Sequence, residues 1–337
     1  MDRNSYCYCG VALRYVTDDF QLFTFILGCF PYNAASHSTQ HLCEFVNKVL
    51  AEYNPVLGTT KFVVTDNEAK MLAAFREQCC RIGCADHYLN KQSQHAFQSE
   101  KKHSNRSTFE AGGCELAQTV FGHVKKIVSF VRHSHKQQKL PRELQNYSET
   151  RFAGAIIMVD IFREMYQNLP EVLINSNAME NYNAIEKDLL DDICNFLEPF
   201  QDVINALSKD RQLCLHQVMS HRQCLIEHCY QRETDSTVIM QLKSFLARRI
   251  KNAWYINDYH HRATILHPKL KNFEFCRDAK ERSIDVLKQE YDKLELNNSL
   301  TQKIASNVLQ NNNANPSQTS TTATTPKRKN LLTQCFD

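Results

Sequence analysis

Glycine and proline are scarce in this chain, eight of each in 337 residues, and tryptophan occurs once. So few turn formers disfavour a β sandwich rich in turns and leave long helices as the main building element. No apolar run approaches the roughly 20 residues needed to span a bilayer, so no membrane partner is expected. There is no GxGxxG and no GxxxxGK[ST], so no phosphate-cradling loop and no nucleotide cofactor is expected. No Cys/His/Asn arrangement points to a nucleophilic cysteine. A large excess of one charge sign is missing too: 40 Lys and Arg against 37 Asp and Glu leave a formal net charge of +3.

That balance hides a strong asymmetry. Residues 91–150 carry ten Lys/Arg against five Asp/Glu, with five His besides. Residues 160–210 carry eleven acids against three bases, and residues 242–282 return to ten bases against four acids. Basic stretches on both sides of an acidic one suit a polyanion, because neutralising phosphates releases counterions. The plainer reading is a set of solvated helix faces. A hydrophobic share of 42% with 10% aromatics supplies a substantial core, enough for one large domain or two ordinary ones. The 14 cysteines follow a polar start, Met1-Asp2-Arg3-Asn4-Ser5. They are therefore expected as reduced thiols in a nuclear or cytoplasmic protein.

Strand and helix patterns divide the chain. Tyr6–Val16 is rich in aromatic and β-branched residues and reads as a strand. Asp18-Asp19 reads as a turn and Phe20–Phe30 as the hairpin partner. Ser38 or Thr39 caps a helix running to about Tyr53, with Leu42, Phe45, Val46, Val49 and Leu50 on one face. Lys61–Thr65 reads as a short strand, Asn67–Gln78 as a helix and Cys80–Cys84 as a further strand. From residue 91 the character turns helical. Helices are expected over Glu115–His133, Glu149–Asn168, Asn181–Leu207 (kinked at Pro199), Gln212–Tyr230, Ser236–Arg249 and Arg277–Leu296. Residues 298–330 are rich in Asn, Gln, Ser and Thr, and a disordered polar tail is expected over 298–337.

Four motifs stand in order. Gly10-Val11-Ala12-Leu13-Arg14-Tyr15 lies on the first strand. Val64-Thr65-Asp66-Asn67-Glu68-Ala69-Lys70-Met71 carries a carboxylate at a strand end that turns at once into a helix. Cys84-Ala85-Asp86-His87-Tyr88-Leu89-Asn90 follows, and then Ser148-Glu149-Thr150-Arg151-Phe152. Ile265-Leu266-His267-Pro268-Lys269-Leu270-Lys271 is a weaker fifth. Together they resemble the transposases of the hAT superfamily, of the Hermes, hobo and Ac type. There the corresponding segments read TDNGANM, CxxHxLN, TRW and LDPRFK. Hairpin-borne residues like those of the first motif follow that family's first catalytic carboxylate.

The resemblance implies a fold of α/β plus all-α class: a partial ribonuclease-H-like core over 1–90 whose opening strand is missing, a helical insertion domain over 91–297, and the tail. It also implies DNA cleavage and strand transfer by three carboxylates holding two divalent metals, Mg²⁺ by ligand chemistry. Asp66 matches the second of these carboxylates. The first belongs on the strand that would precede Met1, and the role is not carried to Asp2. The third belongs after the insertion domain, and Glu290 does not stand in a matching motif. Asp66 alone is therefore a vestigial catalytic residue, a metal ligand only where the other carboxylates are supplied. Its plain alternative is an N-cap of the next helix. Phe152 stands where the family has a base-stacking Trp and keeps a π face.

Smaller constellations weigh less. Cys84 and His87 have half a zinc spacing, with His95 and His103 the nearest further ligands. His221, Cys224, His228 and Cys229 fall at helical spacings, as ordinary helix positions often do. Lys327-Arg328-Lys329 is a small basic cluster of the nuclear-localisation kind. Trp254, Tyr255 and Tyr259 lie near Arg248, Arg249 and Lys251, as a stacking surface or a buried anchor. The DNA-contact candidates are Arg151, Phe152, Lys125, Lys126, Arg248 and Arg249. The expectation is a transposase-derived, catalytically inactive nuclear protein that contacts DNA or a protein partner, with no cofactor. The alternatives are a fragment of an active Mg²⁺-dependent enzyme and a helical interaction scaffold.

Overall fold

The computed structural model describes residues 8–19, 21–31, 38–53, 62–76, 79–97, 114–148, 153–209 and 212–311. The chain divides into two units, residues 1–284 and 285–337. It is a mixed α/β protein, mostly helical, with two small sheets among the described residues.

The strands come first. β1 (Tyr8–Val16) and β2 (Leu22–Pro31) pair antiparallel around Asp18-Asp19, closed by the Thr17 N–H donating to the Gln21 carbonyl at 3.0 Å. A register shift between Val11 and Ala12 bulges the pair. α1 (Thr39–Ala51) opens on Ser38, whose hydroxyl accepts from the His41 N–H at 3.3 Å, one of the two caps that the sequence offered. β3 (Val63–Thr65), α2 (Ala69–Phe75) and β4 (Arg81–Gly83) form a parallel strand–helix–strand unit. α1 and α2 close on each other through Cys43, Leu50, Ala74 and Phe75. The order β-β-α-β-α-β is the one read from the sequence. The strands, however, lie in two separate two-stranded sheets, β1–β2 and β3–β4, among the described residues.

The helices follow: α3 (Ala85–Phe97), α4 (Glu115–Arg132), α5 (Gly154–Met165), α6 (Leu169–Leu173), α7 (Ala178–Asn183), α8 (Lys187–Leu207), α9 (Val218–His228), α10 (Thr237–Ala253), α11 (Asp258–Leu266) and α12 (Asp278–Asn311). One continuous core joins α3 to α10, from Tyr88 to Trp254. Phe162 and Phe200 are wholly buried in it, as are Leu89 and Ile127. Each such side chain contributes about 1.5–3 kcal/mol of burial. The boundary expected between residues 90 and 91 falls inside α3, and residues on both sides of it share this core.

Other differences have local causes. The helix expected over Asn181–Leu207 is two, because the chain turns at Ala184-Ile185 before α8 begins. α8 runs through Pro199 without ending there. α11 was not anticipated; it buries His260, His261 and Thr264 rather than an aliphatic stripe. Residues 298–311, expected to be part of a disordered tail, continue α12, and residues 312–337 lie outside the described residues.

The twelve described cysteines are free thiols. Burial pushes the thiols of Cys114, Cys194 and Cys229 up to about 12, whereas Cys29 and Cys224 are exposed. Among the described residues one ion pair has both side chains largely shielded from solvent. Lys243 donates to both Asp235 oxygens at 2.8 and 2.7 Å, with the two side chains only 7% and 9% exposed. The Arg232 N–H adds a third bond at 2.7 Å. Burial pushes the Asp235 carboxyl up, but the Lys243 and Arg232 bonds outweigh it and hold it below the usual carboxylate range.

Lys243→Met removes the counter-charge of this part-buried carboxylate, and urea denaturation should show a loss of about 1–3 kcal/mol. The Asp235→Asn, Lys243→Met pair together should recover most of it. The wild-type contribution is present above the unfolded carboxylate value of about 3.9 and is lost as pH falls through the lower folded value. A stability profile against pH that is identical in wild type and double variant between neutral and strongly acid pH would rule this out.

Candidate functional site

The β3–α2–β4 unit brings residues that lie some sixteen positions apart into one clasp. Cys84 N–H donates to the Thr65 carbonyl at 2.8 Å and extends the parallel ladder past Gly83. Arg81, on β4, reaches across to β3. Its Nε donates to Thr65 Oγ1 at 2.7 Å, and its Nη2 donates to the Asp66 carbonyl and, at 3.1 Å, to Asn67 Oδ1. Burial lowers the Arg81 guanidinium pKa, partly offset by the Asp66 charge. Asn67 Nδ2 donates to the Cys84 carbonyl at 3.1 Å. Gly83 makes this possible: a Cβ there would lie 2.1 Å from Asn67 Oδ1.

Asp66 stands at the carboxyl end of β3, as the sequence indicated. Its Oδ1 accepts from the Glu68 N–H at 3.2 Å, an Asx turn that leads into the helix. The N-cap reading is corrected: α2 begins at Ala69, its cap residue is Glu68, and no side chain caps it. Cys84 ends the ladder and starts α3. Its sulfur accepts from the His87 N–H at 3.5 Å, as an N-cap oxygen would, and burial pushes its thiol up. Among the described residues no three or more His, Cys, Asp or Glu side chains are placed to hold a metal.

A cavity of about 530 Å³ lies beside this clasp. Its floor is Asn67, Glu68, Arg81 and Gly83; one wall is α3, through His87, Lys91 and His95; another is the 253–257 segment. Such a volume is within the range of ligand pockets, about 300–1,000 Å³. A position off the carboxyl ends of parallel strands is where open α/β units present ligand sites.

Two anchors hold α3 in place, and the sequence reading missed both. Asp86 is 6% exposed, and its Oδ2 accepts from the Ser208 hydroxyl at 2.6 Å, 122 positions away. Burial pushes that carboxyl up, and the Ser208 bond opposes the shift. Asn90 Oδ1 accepts from the Ala153 N–H at 2.8 Å. Ala153 has φ 52°, a left-handed conformation disfavoured for a residue with a Cβ. The end of the Cys84–Asn90 motif is thus tied to the residue that follows Phe152.

The remaining sequence candidates are dispersed. Arg151 and Phe152 lie outside the described residues, as does His103. Lys125 and Lys126 are exposed on α4, the Lys125 ammonium 5.1 Å from the Tyr147 ring centroid. Arg248 and Arg249 sit near Phe245, at 5.8 and 6.0 Å, and Arg249 Nε donates to Gln92 Oε1 at 2.6 Å. His87 and His95 both line the cavity. His221, Cys224, His228 and Cys229 do not converge. His228 bonds the Phe196 carbonyl at 2.9 Å and stacks on its ring, Cys229 is buried and Cys224 exposed. Trp254 is a buried anchor, Tyr255 is exposed, and Tyr259 lies between Phe62 and Arg262.

Compared with known proteins, the chain matches no family model and no curated protein sequence.

Gly83→Ala should cost about 1–3 kcal/mol through its clash with Asn67. Combined with Asn67→Ala, it should cost clearly less than the sum of the two single changes in chemical denaturation. Strict additivity would show that the close approach is not the cause. Asn90→Ala, which strands the buried Ala153 N–H, should lower stability by about 1–3 kcal/mol; an unchanged midpoint would remove Asn90 as an anchor.

Proposed function

We propose that this chain is a hAT-transposase-derived protein, built on a ribonuclease-H-like core, that contacts DNA in the nucleus without cutting it. The observation that carries the reading is the meeting of its motifs. Asp66 at a strand end, the Cys84–Asn90 motif that starts α3, and the residue after Phe152 are joined by the Arg81–Asn67 clasp and the Asn90–Ala153 bond. The ββαβαβ order of the first 83 residues supports the same core. Exposed Lys125 and Lys126, with the partly exposed Arg249 and exposed Arg248, offer phosphate contacts at more than one place. Arg151 and Phe152 remain DNA-contact candidates by sequence.

Strand transfer by this chemistry uses two cations held by three carboxylates about 3.5–4 Å from metal to metal. Asp66 is the one carboxylate of this chain that matches the set, and its Oδ1 is engaged by the Glu68 N–H. DNA contact is the activity proposed, and cleavage is put to the test below. Nuclear placement follows from the DNA contact and from Lys327-Arg328-Lys329.

A second reading has its own observation. Apolar side chains on the β1–β2 hairpin are open to solvent, Ile26 at 83% and Tyr8 at 61% exposure. Exposed apolar surface of this kind marks protein contact, as a helical interaction scaffold with a sheet appendage would use.

Duplex DNA of arbitrary sequence should bind with log K falling linearly in log salt between roughly 50 and 200 mM, with a slope steeper than about −2. Lys125→Ala, Lys126→Ala together should flatten that slope. Binding indifferent to salt would leave the scaffold reading in its place. With Mg²⁺ or Mn²⁺ added, supercoiled DNA should stay intact. Nicking that disappears in Asp66→Asn would instead identify an active enzyme.

A further inference from the structure

The cavity beside β3 and β4 combines two kinds of wall. On α3, His87, Lys91 and His95 recur every fourth residue, so they make one stripe along the helix, and all three line the cavity. The stripe is about 12 Å long. Arg81 adds a cation from β4, and Glu68 is the one carboxylate in the lining. His260, also in the lining, is the acceptor for the Asn257 N–H at 3.2 Å and belongs to the helix cap rather than to the α3 stripe.

The facing wall presents an aromatic ring on a fixed backbone. Trp254 is 4% exposed and stacks on Tyr88 of α3, ring centroids 5.7 Å apart. The next residue, Tyr255, is 82% exposed at the cavity. Both ends of this short connection are pinned. Arg222 donates to the Trp254 and Lys251 carbonyls at 3.1 and 3.0 Å, and the Tyr88 hydroxyl donates to the Arg249 carbonyl at 2.8 Å. On the other side, the Asn257 side chain caps α11 through the Tyr259 and His260 N–H groups at 3.1 and 3.3 Å. A tyrosine on so fixed a backbone, with its ring largely open, offers a face to another flat group.

We propose that this cavity takes an unpaired nucleotide of a single nucleic-acid strand, its base stacked on Tyr255 and its phosphates along Arg81, His87, Lys91 and His95. The cavity volume accommodates one nucleotide, and the stripe is longer than one phosphate is wide, which favours a strand over a free nucleotide. The proposal rests on the DNA-contact reading for its ligand class but not for its location.

Trp254 is the only tryptophan in the chain and lines the cavity, so no other tryptophan contributes to the signal from this site. Three ligands are titrated into the full chain: an oligothymidylate of about ten nucleotides, a duplex, and thymidine monophosphate. The oligothymidylate should quench Trp254. Tyr255→Ala should weaken its binding about 5- to 150-fold, the loss expected for one stacked base, while Tyr255→Phe keeps it and both variants melt like wild type. Lys91→Ala should flatten the single-strand salt slope by about 0.7. Wild-type affinity in Tyr255→Ala, or strand binding seen by anisotropy without quenching, overturns the proposal and leaves the DNA-contact reading standing. Quenching by the monophosphate as tight as by the strand overturns it in favour of a free nucleotide. Absence of binding by strand and duplex alike overturns both.

Discussion

The position of the candidate site depends on how one helix is divided between oil and water. On α3, Leu89 and Ala96 are fully buried in the main core, and His87, Lys91 and His95 line the cavity. Burial of one face fixes the rotation of the other. The helix cannot turn to hide its basic side chains without exposing Leu89, Ala96 and Phe97. Asp86 and Asn90 add polar anchors, to Ser208 and to the Ala153 N–H, so sliding along the axis is opposed as well. The cavity inherits its shape from the core rather than from its own lining.

Strands of three residues are marginal by themselves, and β3 and β4 have only each other among the described residues. Side chains compensate. The Arg81 guanidinium spans both strands, and Asn67 returns from the turn to the carbonyl of Cys84, just past the far strand. The same groups that stabilise the sheet set the cavity floor. Asp66 takes part through its backbone as much as through its carboxylate, which is a structural use of the residue that the motif comparison alone assigns to metal.

Much of the architecture was legible. The hairpin showed in its aromatic and β-branched content and Asp-Asp turn, α1 in its apolar face and a Ser38 or Thr39 cap, and α4 and α8 in their apolar residues. What escaped was set by partners far away in the chain. Nothing near Asp86 announces Ser208, and nothing near Asn90 announces Ala153. Asn67 and Gly83 read as ordinary turn and strand residues until the parallel pairing puts them in contact. α11 lacks an aliphatic stripe because it buries imidazoles and a threonine, His261 bonded to Ser283 at 2.8 Å. The α12 extension past Leu296 runs through Asn, Ser and Thr, residues of weak helix preference. The cavity itself was invisible for the same reason: its walls come from residues about 170 positions apart, and Cys84, His87 and His95 had been singled out apart from Trp254 and Tyr255, with nothing to say that they meet.

The buried thiols carry a consequence of their own. Only the thiolate reacts with an alkylating reagent, and Cys194 on α8 and Cys114 beside α4 are both buried and held protonated. Each therefore stays silent until its segment swings out into solvent. Their modification rates would time the transient breathing of the helical body, segment by segment, with Cys29 and Cys224 marking the zero of that clock.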